Sequence, residues 1–291
     1  MKKSRRNASL FKVFIYVILI AIAISIIVPV GWVFLASIKQ NSEFYGNPWQ
    51  LPKGFYFQNF IDAFSKAKMG DYFLNSVTVT LLALVILLAV ALPAAYVLAR
   101  YEFKGRKIIR MLYNAGLFIN VNYIVVPIFL MLLDWDDALY QALHVEFFLN
   151  NIFVLAVVYA ATAIPFTVYL LASYFETQPK TYEEAAFIDG STYGQTLRKI
   201  MIPMAMPSIV TVILFNFLAF WNEYIIALTL MPGSNKTLPV GLVNLSQAAH
   251  GKAEYGTLYA GLVIVMLPTL ILYCLVQKKL TQGMTVGGIK E

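Results

Sequence analysis

The sequence predicts an all-α integral membrane protein with six transmembrane helices. Apolar residues make up 60% of its 291 residues and charged residues 13%, whereas soluble domains carry roughly 25% charged residues. Six long apolar runs recur along the chain, and each has the roughly 20 residues that a helix needs to cross a bilayer core of about 30 Å. Lysine and arginine are also concentrated in every second connector and at the termini, which is typical of a fixed membrane topology.

The predicted elements begin with a basic cytoplasmic N-terminus, residues 1–12, and a first transmembrane helix, residues 13–38. The apolar run of that helix is too long for a cleaved signal peptide, whose apolar region spans roughly 7–15 residues, so we expect it to be retained. An external connector of residues 39–70, a membrane domain of residues 71–277 and a cytoplasmic tail of residues 278–291 follow. Within the membrane domain the predicted spans cover residues 72–98, 109–133, 152–174, 204–231 and 255–276, with an acidic connector over residues 134–149.

The distribution of basic residues predicts the orientation of these spans. With both termini inside, 16 of the 22 lysines and arginines lie on the cytoplasmic side and 6 lie outside. Connectors rich in lysine and arginine stay in the cytoplasm. We therefore expect a multi-pass membrane protein with both termini cytoplasmic, and the net charge of +7 indicates topology rather than nucleic-acid binding.

A polar segment from Pro179 to Pro207 lies between the fourth and fifth spans. Thr181 and Glu184 have the spacing of a capping box, which predicts a helix start after Pro179. Gly190 can take the left-handed conformation that closes a helix. Ser191 can then cap a second helix that runs to Pro203.

The first of these two short helices has the composition of a docking element. Ala185 and Ala186 permit a partner to approach closely, and Glu184 beside them offers an ionic contact. The alternative interpretation is an ordinary amphipathic connector. The cytoplasmic side predicted for the segment favours docking of a cytoplasmic partner.

Glu223 is the ionisable residue that lies clearly inside a predicted span, and a carboxylate there needs a partner or water. One hypothesis places Trp221, Asn222, Glu223 and Tyr224 at the translocation pathway or its outer gate, since aromatic faces suit sugar rings. The alternative is a hydrogen-bonded helix contact near the outer interface. Asn216 and Asn120 are further pathway candidates, although such side chains more often join membrane helices.

No catalytic site or metal site is expected. His144 and His250 lie in polar connectors without a metal-ligand spacing, and Cys274 is the single cysteine. The stretch GSNKT, residues 233–237, lacks the spacing of a phosphate-binding loop. We therefore expect a non-catalytic subunit, with any ATP hydrolysis on another chain.

The stretch EAAFIDGSTYGQTLRKIMIP, residues 184–203, resembles the EAA signature of ABC importer permeases. The matching residues are Glu184, Ala185, Ala186, Asp189, Gly190, Ile200 and Pro203. Ser191 departs from the alanine that the family often has there. The stretches NSVTVTLLALVILLAVALPAAYVLARYEFKGR, FWNEYIIALTLM and KLTQGMTVGGIKE look like carbohydrate-uptake permeases similar to the second maltose permease subunit, and the likeness covers the chain from about Asp71 onward.

This resemblance implies a type I ABC importer permease fold with a cytoplasmic coupling helix between helices four and five. The EAA loop, residues 179–203, would seat in a cleft of a cytoplasmic ATPase, with Glu184 as the ionic contact and Gly190 as the bend. The implied partners are a second permease, two ATPase subunits that hold ATP and Mg, an extracytoplasmic solute-binding protein and membrane lipid, but no nucleic acid. The tail from Gly283 to Glu291 would reach the ATPase interface. The implied substrate is a sugar or oligosaccharide, although related permeases carry glycerol phosphates and other polyols.

The main alternative is a self-contained secondary transporter or channel for a small polar solute. Such a protein is expected to show matching halves with broken helices, and no convincing internal repeat is visible in the sequence. A membrane-embedded enzyme is a third possibility, against which the lack of paired catalytic residues counts.

Overall fold

The computed structural model describes the backbone of residues 2–45, 47–252 and 254–286, and the side chains of residues 11–45, 47–249 and 254–277. Helices joined by turns and loops make up these residues, and no β-strand occurs among them. The predicted all-α class is therefore confirmed. The basic side chains of residues 1–10, His250 and the C-terminal tail with its expected ATPase contact lie outside the described side chains.

The first part of the chain consists of one long helix, a connector of short turns and a second long helix. These elements are α1 (Lys2–Ser37), a 3-10 turn (Asn41–Phe44), α2 (Gln58–Ile61) with a π turn (Asp62–Lys66), and α3 (Met69–Arg100). The middle of the chain is formed by α4 (Arg106–Gly116), α5 (Val121–Leu143), α6 (Ile152–Thr177) and α7 (Thr181–Ile188). The last part is formed by α8 (Tyr193–Thr196), a π turn (Leu197–Met201), α9 (Ile202–Met204), α10 (Met206–Trp221), α11 (Ile225–Leu230), α12 (Leu238–Lys252) and α13 (Tyr255–Val286).

Four helices are long and apolar enough to cross a membrane by themselves. They are Phe11–Ser37 of α1, Met69–Arg100, Ile152–Thr177 and Tyr255–Gln277 of α13. Two bent pairs pass the same test when taken together: α4 with α5, at 102°, and the helix Tyr193–Met204 with α10, at 76°. The described part of the chain therefore has six spans if each bent pair counts as one.

The third predicted span, residues 109–133, is not a single helix. Asn120 has an extended backbone and its side chain accepts a hydrogen bond from the Asn122 N–H, so a new helix begins at this point. The helix then continues to Leu143, and the acidic connector predicted from residue 134 is wrong for residues 134–143. Asp136 lies in this part of α5, where it is buried rather than solvated.

Asp136 holds the loop after α5 in place. Its carboxylate accepts hydrogen bonds from the N–H groups of Phe147, Phe148 and Leu149, each at 2.7 Å. Three backbone donors compensate the burial of one carboxylate. An acidic residue that hydropathy assigns to solvent therefore lies inside the fold.

The fifth predicted span, residues 204–231, is also interrupted. Helix α10 ends at Trp221, residues 222–224 are not helical, and α11 begins at Ile225. The prediction of one continuous helix is therefore wrong here. Glu223 lies in the interruption, where it caps the helix that follows.

The chain divides into two compact units. The first comprises Met1–Met69 with Leu242–Leu267, and the second Gly70–Gly241 with Pro268–Glu291. The core of the second unit is built from α3, α5, α6, α10 and α11, with fully buried side chains such as Leu87, Leu155, Tyr159, Leu171 and Phe175. The alanines Ala83, Ala91, Ala95, Ala156 and Ala160 are buried in the same core, as expected of helices that approach closely in a membrane.

The first unit is organised around a buried lysine that follows α1. Lys39 is 0% exposed, its Nζ donates to the Pro48 carbonyl at 2.8 Å, and the ammonium lies 4.1 Å from the ring centroid of Trp32. Burial lowers the pKa of Lys39 from its ordinary value, and the nearby Glu43 carboxylate opposes that shift. The side chain of Asn59 also donates to the Lys39 carbonyl at 2.7 Å. These contacts order the connector that precedes α3.

Candidate coupling and pathway sites

The predicted docking element is present as α7, an eight-residue helix. Gly190 closes it with φ +77°, its N–H bonds to the Phe187 carbonyl at 3.0 Å, and the Ser191 N–H bonds to the Ala186 carbonyl at 2.9 Å. These two bonds form the left-handed helix ending that favours glycine. The predicted stop at Gly190 is therefore confirmed.

The predicted start of this helix is wrong in its detail. Lys180 is the N-cap, and no side chain makes a capping hydrogen bond there. Thr181 already lies inside the helix, since the N–H groups of Glu183 and Glu184 bond to the Lys180 carbonyl. Thr181 and Glu184 therefore have the spacing of a capping box, but Thr181 is not at the N-cap position that a capping box requires.

The second helix of the element is capped by Thr192 and not by Ser191. The Ser191 N–H donates to the Ala186 carbonyl at the end of α7. Thr192 has the extended backbone of an N-cap. Its hydroxyl accepts from the Gln195 N–H, and the Gln195 side chain accepts from the Thr192 N–H. The helix then runs without interruption from Tyr193 to Met204.

The EAA residues divide into an exposed and a buried set. Glu184, Ala185, Asp189 and Gly190 are exposed, as is Pro203. Ala186 is 4% exposed, and Ile200 packs against the core of the second unit. The exposed side of α7 ends in Ile188, of which 86% is accessible. The exposed side of α7, with a carboxylate, an alanine and an isoleucine, is suited to contact another protein.

Glu183, which the sequence analysis did not select, forms the main buried contact of α7. Its carboxylate accepts from the Tyr96 hydroxyl at 2.7 Å and from Arg100 Nε at 2.8 Å. Arg100 Nη2 lies 2.6 Å from the same carboxylate. The spacing of Glu183 and Ala186 places them on one face of the helix, but the sequence alone does not mark that face as the inward one.

Glu223 is held by three donors of its own chain. One oxygen accepts from the Ile226 N–H at 2.7 Å, and the other accepts from the Ala227 N–H at 2.9 Å and from the Tyr159 hydroxyl at 2.8 Å. The first N–H groups of a helix have no partner within it. The carboxylate therefore caps α11 and joins it to α6, as in the helix-contact alternative.

The neighbouring pathway candidates have different surroundings. Trp221 is 1% exposed and packs on Phe217 and Phe73. Asn222 is exposed and donates to the Leu218 carbonyl of its own helix. Tyr224 is half-buried at the start of α11.

The two other asparagines predicted to line a pathway are far from each other in the sequence and differ in burial. Asn216 is 3% exposed and donates to Thr167 Oγ1 at 3.0 Å, so it joins α10 to α6. Asn120 is exposed at the break between α4 and α5. No three His, Cys, Asp or Glu side chains come together as a metal site in the part of the chain that the structure describes.

Comparison with known protein families gives one match that covers most of the chain. Residues 91–286 match the model of the binding-protein-dependent transport system inner membrane component. The chain belongs to this family. It is thus a permease subunit of an ABC importer and a component of the inner membrane. The interpretation as a self-contained transporter is not favoured.

Relatives of this permease agree with that assignment. It is 34% identical over 276 residues to the diacetylchitobiose uptake system permease protein NgcG of Streptomyces coelicolor, covering 94% of this chain and 88% of the relative. It is 29% identical over 290 residues to the trehalose/maltose transport system permease protein MalG of Thermococcus litoralis, covering 98% and 99% of the two chains.

A solved structure has the same fold as this permease. It is a bacterial ABC transporter involved in the import of the acidic polysaccharide alginate, and the match has a TM-score of 0.79 over 94% of this chain and 97% of that chain. The sequence identity is 24%. The predicted ABC permease fold is confirmed by this likeness.

Proposed function

We propose that this permease forms, together with a second permease, the translocation pathway for a sugar or oligosaccharide. A separate cytoplasmic ATPase, present in two copies, drives transport through α7, and a solute-binding protein delivers the substrate on the outer face. ATP and Mg bind to the ATPase partner, and this chain holds no cofactor of its own. Both termini lie in the cytoplasm on this proposal.

The observation that carries the coupling role is the division of α7 into two sides. Glu183 and Ala186 attach the helix to its own chain, while Glu184, Ala185 and Ile188 remain exposed. The exposed carboxylate is suited to an ionic contact with a basic group of the ATPase. The left-handed ending at Gly190 turns the chain directly into the second helix, so the exposed side protrudes at a bend.

The relatives support a carbohydrate substrate. The names of two of them specify uptake of diacetylchitobiose and of trehalose or maltose, which are all disaccharides. A third relative, SmoH of Agrobacterium fabrum, is 30% identical over 269 residues and belongs to a sulfoquinovosyl glycerol transport system. We therefore propose a disaccharide or a short oligosaccharide as the transported molecule.

The proposal is tested by purifying the tagged full-length chain from its own host and identifying the chains that co-purify. We expect a second permease and an ATPase. Proteoliposomes with the binding protein outside are expected to take up radiolabelled diacetylchitobiose, trehalose or maltose only when ATP is inside. ATP-independent uptake by the chain alone would contradict the proposal in favour of a self-contained transporter.

The docking surface is tested by charge reversal. Glu184→Lys is expected to remove the ATPase from the purified assembly, because it places a cation where the proposal needs an anion. The matched control is Glu146→Lys, the same change at an exposed residue of the loop after α5. Equal recovery of the ATPase with both variants would contradict the docking role of α7.

A further inference from the structure

Helix α7 has little packing of its own. Of its eight side chains only Glu183 and Ala186 are buried, and Ala186 contributes a single methyl group. A helix of two turns is not stable by itself in water, so its position depends on tertiary contacts. Glu183 is therefore the larger of the two side chains that fix where this helix lies.

The Glu183 carboxylate is held in an almost closed pocket. Its side chain is 10% exposed, and that of Arg100, which pairs with it at 2.6 Å, is 4% exposed. The Tyr96 hydroxyl donates to the other carboxylate oxygen at 2.7 Å. A buried charge pair of this kind is tolerated only when both partners are present, because removal of one leaves the other charge without compensation.

Arg100 extends the contact from α7 to two further helices. It is the last residue of α3, and its Nη1 donates to the carbonyls of Phe175 at 3.2 Å and Gln178 at 2.9 Å. These carbonyls lie at the end of α6, where the last carbonyls of a helix lack the usual partner one turn further on; that of Phe175 also accepts from the Gln178 N–H at 3.2 Å. One guanidinium thus joins the ends of α3 and α6 to the first turn of α7, with a fork of donors that lysine does not possess.

A row of aromatic rings makes a second connection between α7 and the end of α3, by way of α8. The ring centroids of Phe187 and Tyr193 are 5.1 Å apart, those of Tyr193 and Tyr101 are 5.6 Å apart, and those of Tyr101 and Tyr96 are 5.5 Å apart. All three pairs have the edge-to-face arrangement that aromatic rings favour. The row ends at Tyr96, which also bonds to Glu183.

We propose that Arg100 and Glu183 are positioning residues that pass the movement of α7 to the ends of α3 and α6 during ATP-driven transport. The proposal rests on the proposed function, in which the exposed side of α7 docks on an ATPase. The ATPase moves α7 through its exposed side. The buried pair of Glu183 and Arg100 passes that movement to the ends of α3 and α6. Since the ionic contact reaches both helices through one side chain, α7 moves together with them as long as the pair is intact.

The attachment of α7 is tested in the full-length chain without any partner. A spin label is placed at the exposed position 188 by Ile188→Cys in a Cys274→Ser background, and its mobility is measured in proteoliposomes. Glu183→Ala, Arg100→Met and Arg100→Lys are expected to make the label more mobile. The matched control is Arg110→Met, which removes an ion pair between α4 and α6 that is partly exposed, with side chains 44% and 35% accessible; no change is expected there.

Transmission is tested in the complex that co-purifies with the chain, by measuring the disaccharide transported per ATP hydrolysed. Arg100→Lys and Glu183→Ala are expected to lower this ratio by about tenfold, within the range of coupling between sites in other proteins, while ATP hydrolysis continues. The double variant Arg100→Met with Glu183→Met removes both charges and is expected to recover thermal stability without recovering the ratio. If the pair had a purely structural role, the double variant would recover both its thermal stability and the amount of disaccharide transported per ATP hydrolysed.

Two results overturn the inference. An unchanged label mobility in Glu183→Ala shows that the pair does not position α7, and an unchanged ratio in Arg100→Lys shows that it does not transmit movement. Failure of the proposed function is recognised separately, because the wild-type chain would then purify without an ATPase. In that case the spin-label measurement still decides whether the pair holds α7.

Discussion

At the scale of single residues, Glu183 and Glu223 bind groups of their own chain with both carboxylate oxygens. Glu183 joins the end of α3 to α7, and Glu223 caps α11 and contacts α6. A charge in an apolar region is stable when hydrogen-bond donors replace the water that it loses. Each carboxylate therefore fixes the start of a short helix against a long one.

Glu223→Ala is expected to destabilise the permease by about 2 to 3 kcal/mol, because hydrogen bonds to a charged group are lost and backbone N–H groups are left without partners. The melting temperature and the yield of purified protein should both fall. Glu223→Gln keeps one acceptor oxygen for the cap and is expected to lose less of both. Thr229→Ala, a change at a half-buried position on α11 that removes only the hydroxyl bond to the Ile225 carbonyl, is the control.

Uptake measured beside expression decides whether Glu223 also serves the pathway. If uptake per molecule of Glu223→Gln equals that of the wild type, the carboxylate has a structural role only. A loss of uptake without a loss of stability would instead support the pathway hypothesis for Trp221, Asn222, Glu223 and Tyr224.

Single-residue roles were the hardest feature to predict from the sequence. Glu183 and Glu184 are adjacent glutamates in the first turn of α7, and local sequence does not decide which one faces Arg100. That choice is made by the direction in which the end of α3 approaches. Gly190 was predictable because its requirement is local: the backbone there needs a positive φ, which glycine adopts without strain.

At the scale of elements, the Gly190 bend gives a prediction for the coupling of transport. Gly190→Val places a β-branched side chain at φ +77°, at a cost of about 1 to 3 kcal/mol for the strained backbone. No atom lies within 4 Å of the added Cβ, so the effect acts on the backbone of the bend alone. We expect ATP hydrolysis by the complex to continue while uptake per ATP falls.

Gly190→Asn is the matched variant, because asparagine tolerates the left-handed conformation better than valine does. It should retain more of the coupled uptake. Normal coupled transport by Gly190→Val would contradict the assignment of α7 and its bend as the coupling element.

Helix breaks explain where the prediction of elements failed. Hydropathy remains high through Leu117, Phe118 and Ile119, so it gives no sign of the 102° bend between α4 and α5. The break at residues 222–224 depends on the Glu223 side chain, which caps α11. A window average over apolar residues detects the length of a span, but hydrogen bonds decide whether its backbone is continuous.

At the scale of the whole molecule, the expected topology is testable with single cysteines in a Cys274→Ser background. Residues Gln50 and Glu146 are predicted outside, and Lys104 and Ile188 inside; all four are exposed. A membrane-impermeant maleimide applied to intact spheroplasts is expected to label cysteines at the first two positions. The other two should react only after permeabilisation.

The reverse labelling pattern would place α7 on the outer face and would exclude its contact with a cytoplasmic ATPase. The bent pair of α4 and α5 is tested as one span by the same cysteines, since zero or two crossings between residues 104 and 146 would put both on one side. The fold class itself followed from the sequence, because the apolar composition and the lengths of the apolar runs are set by the bilayer and not by details of packing. The family followed from the spacing of Glu184, Gly190 and Pro203.

The contacts of Arg100 limit how this permease can be recombined with others. If residues 179–203 alone were moved into another permease, Glu183 would move with them. It would then face the end of α3 of the recipient permease and not Arg100 of its own chain. The donor fork that meets Glu183, Phe175 and Gln178 comes from outside the exchanged segment. On the proposed function, a chimeric permease keeps these contacts when the last turn of α3 and the end of α6 come from the same parent as the loop.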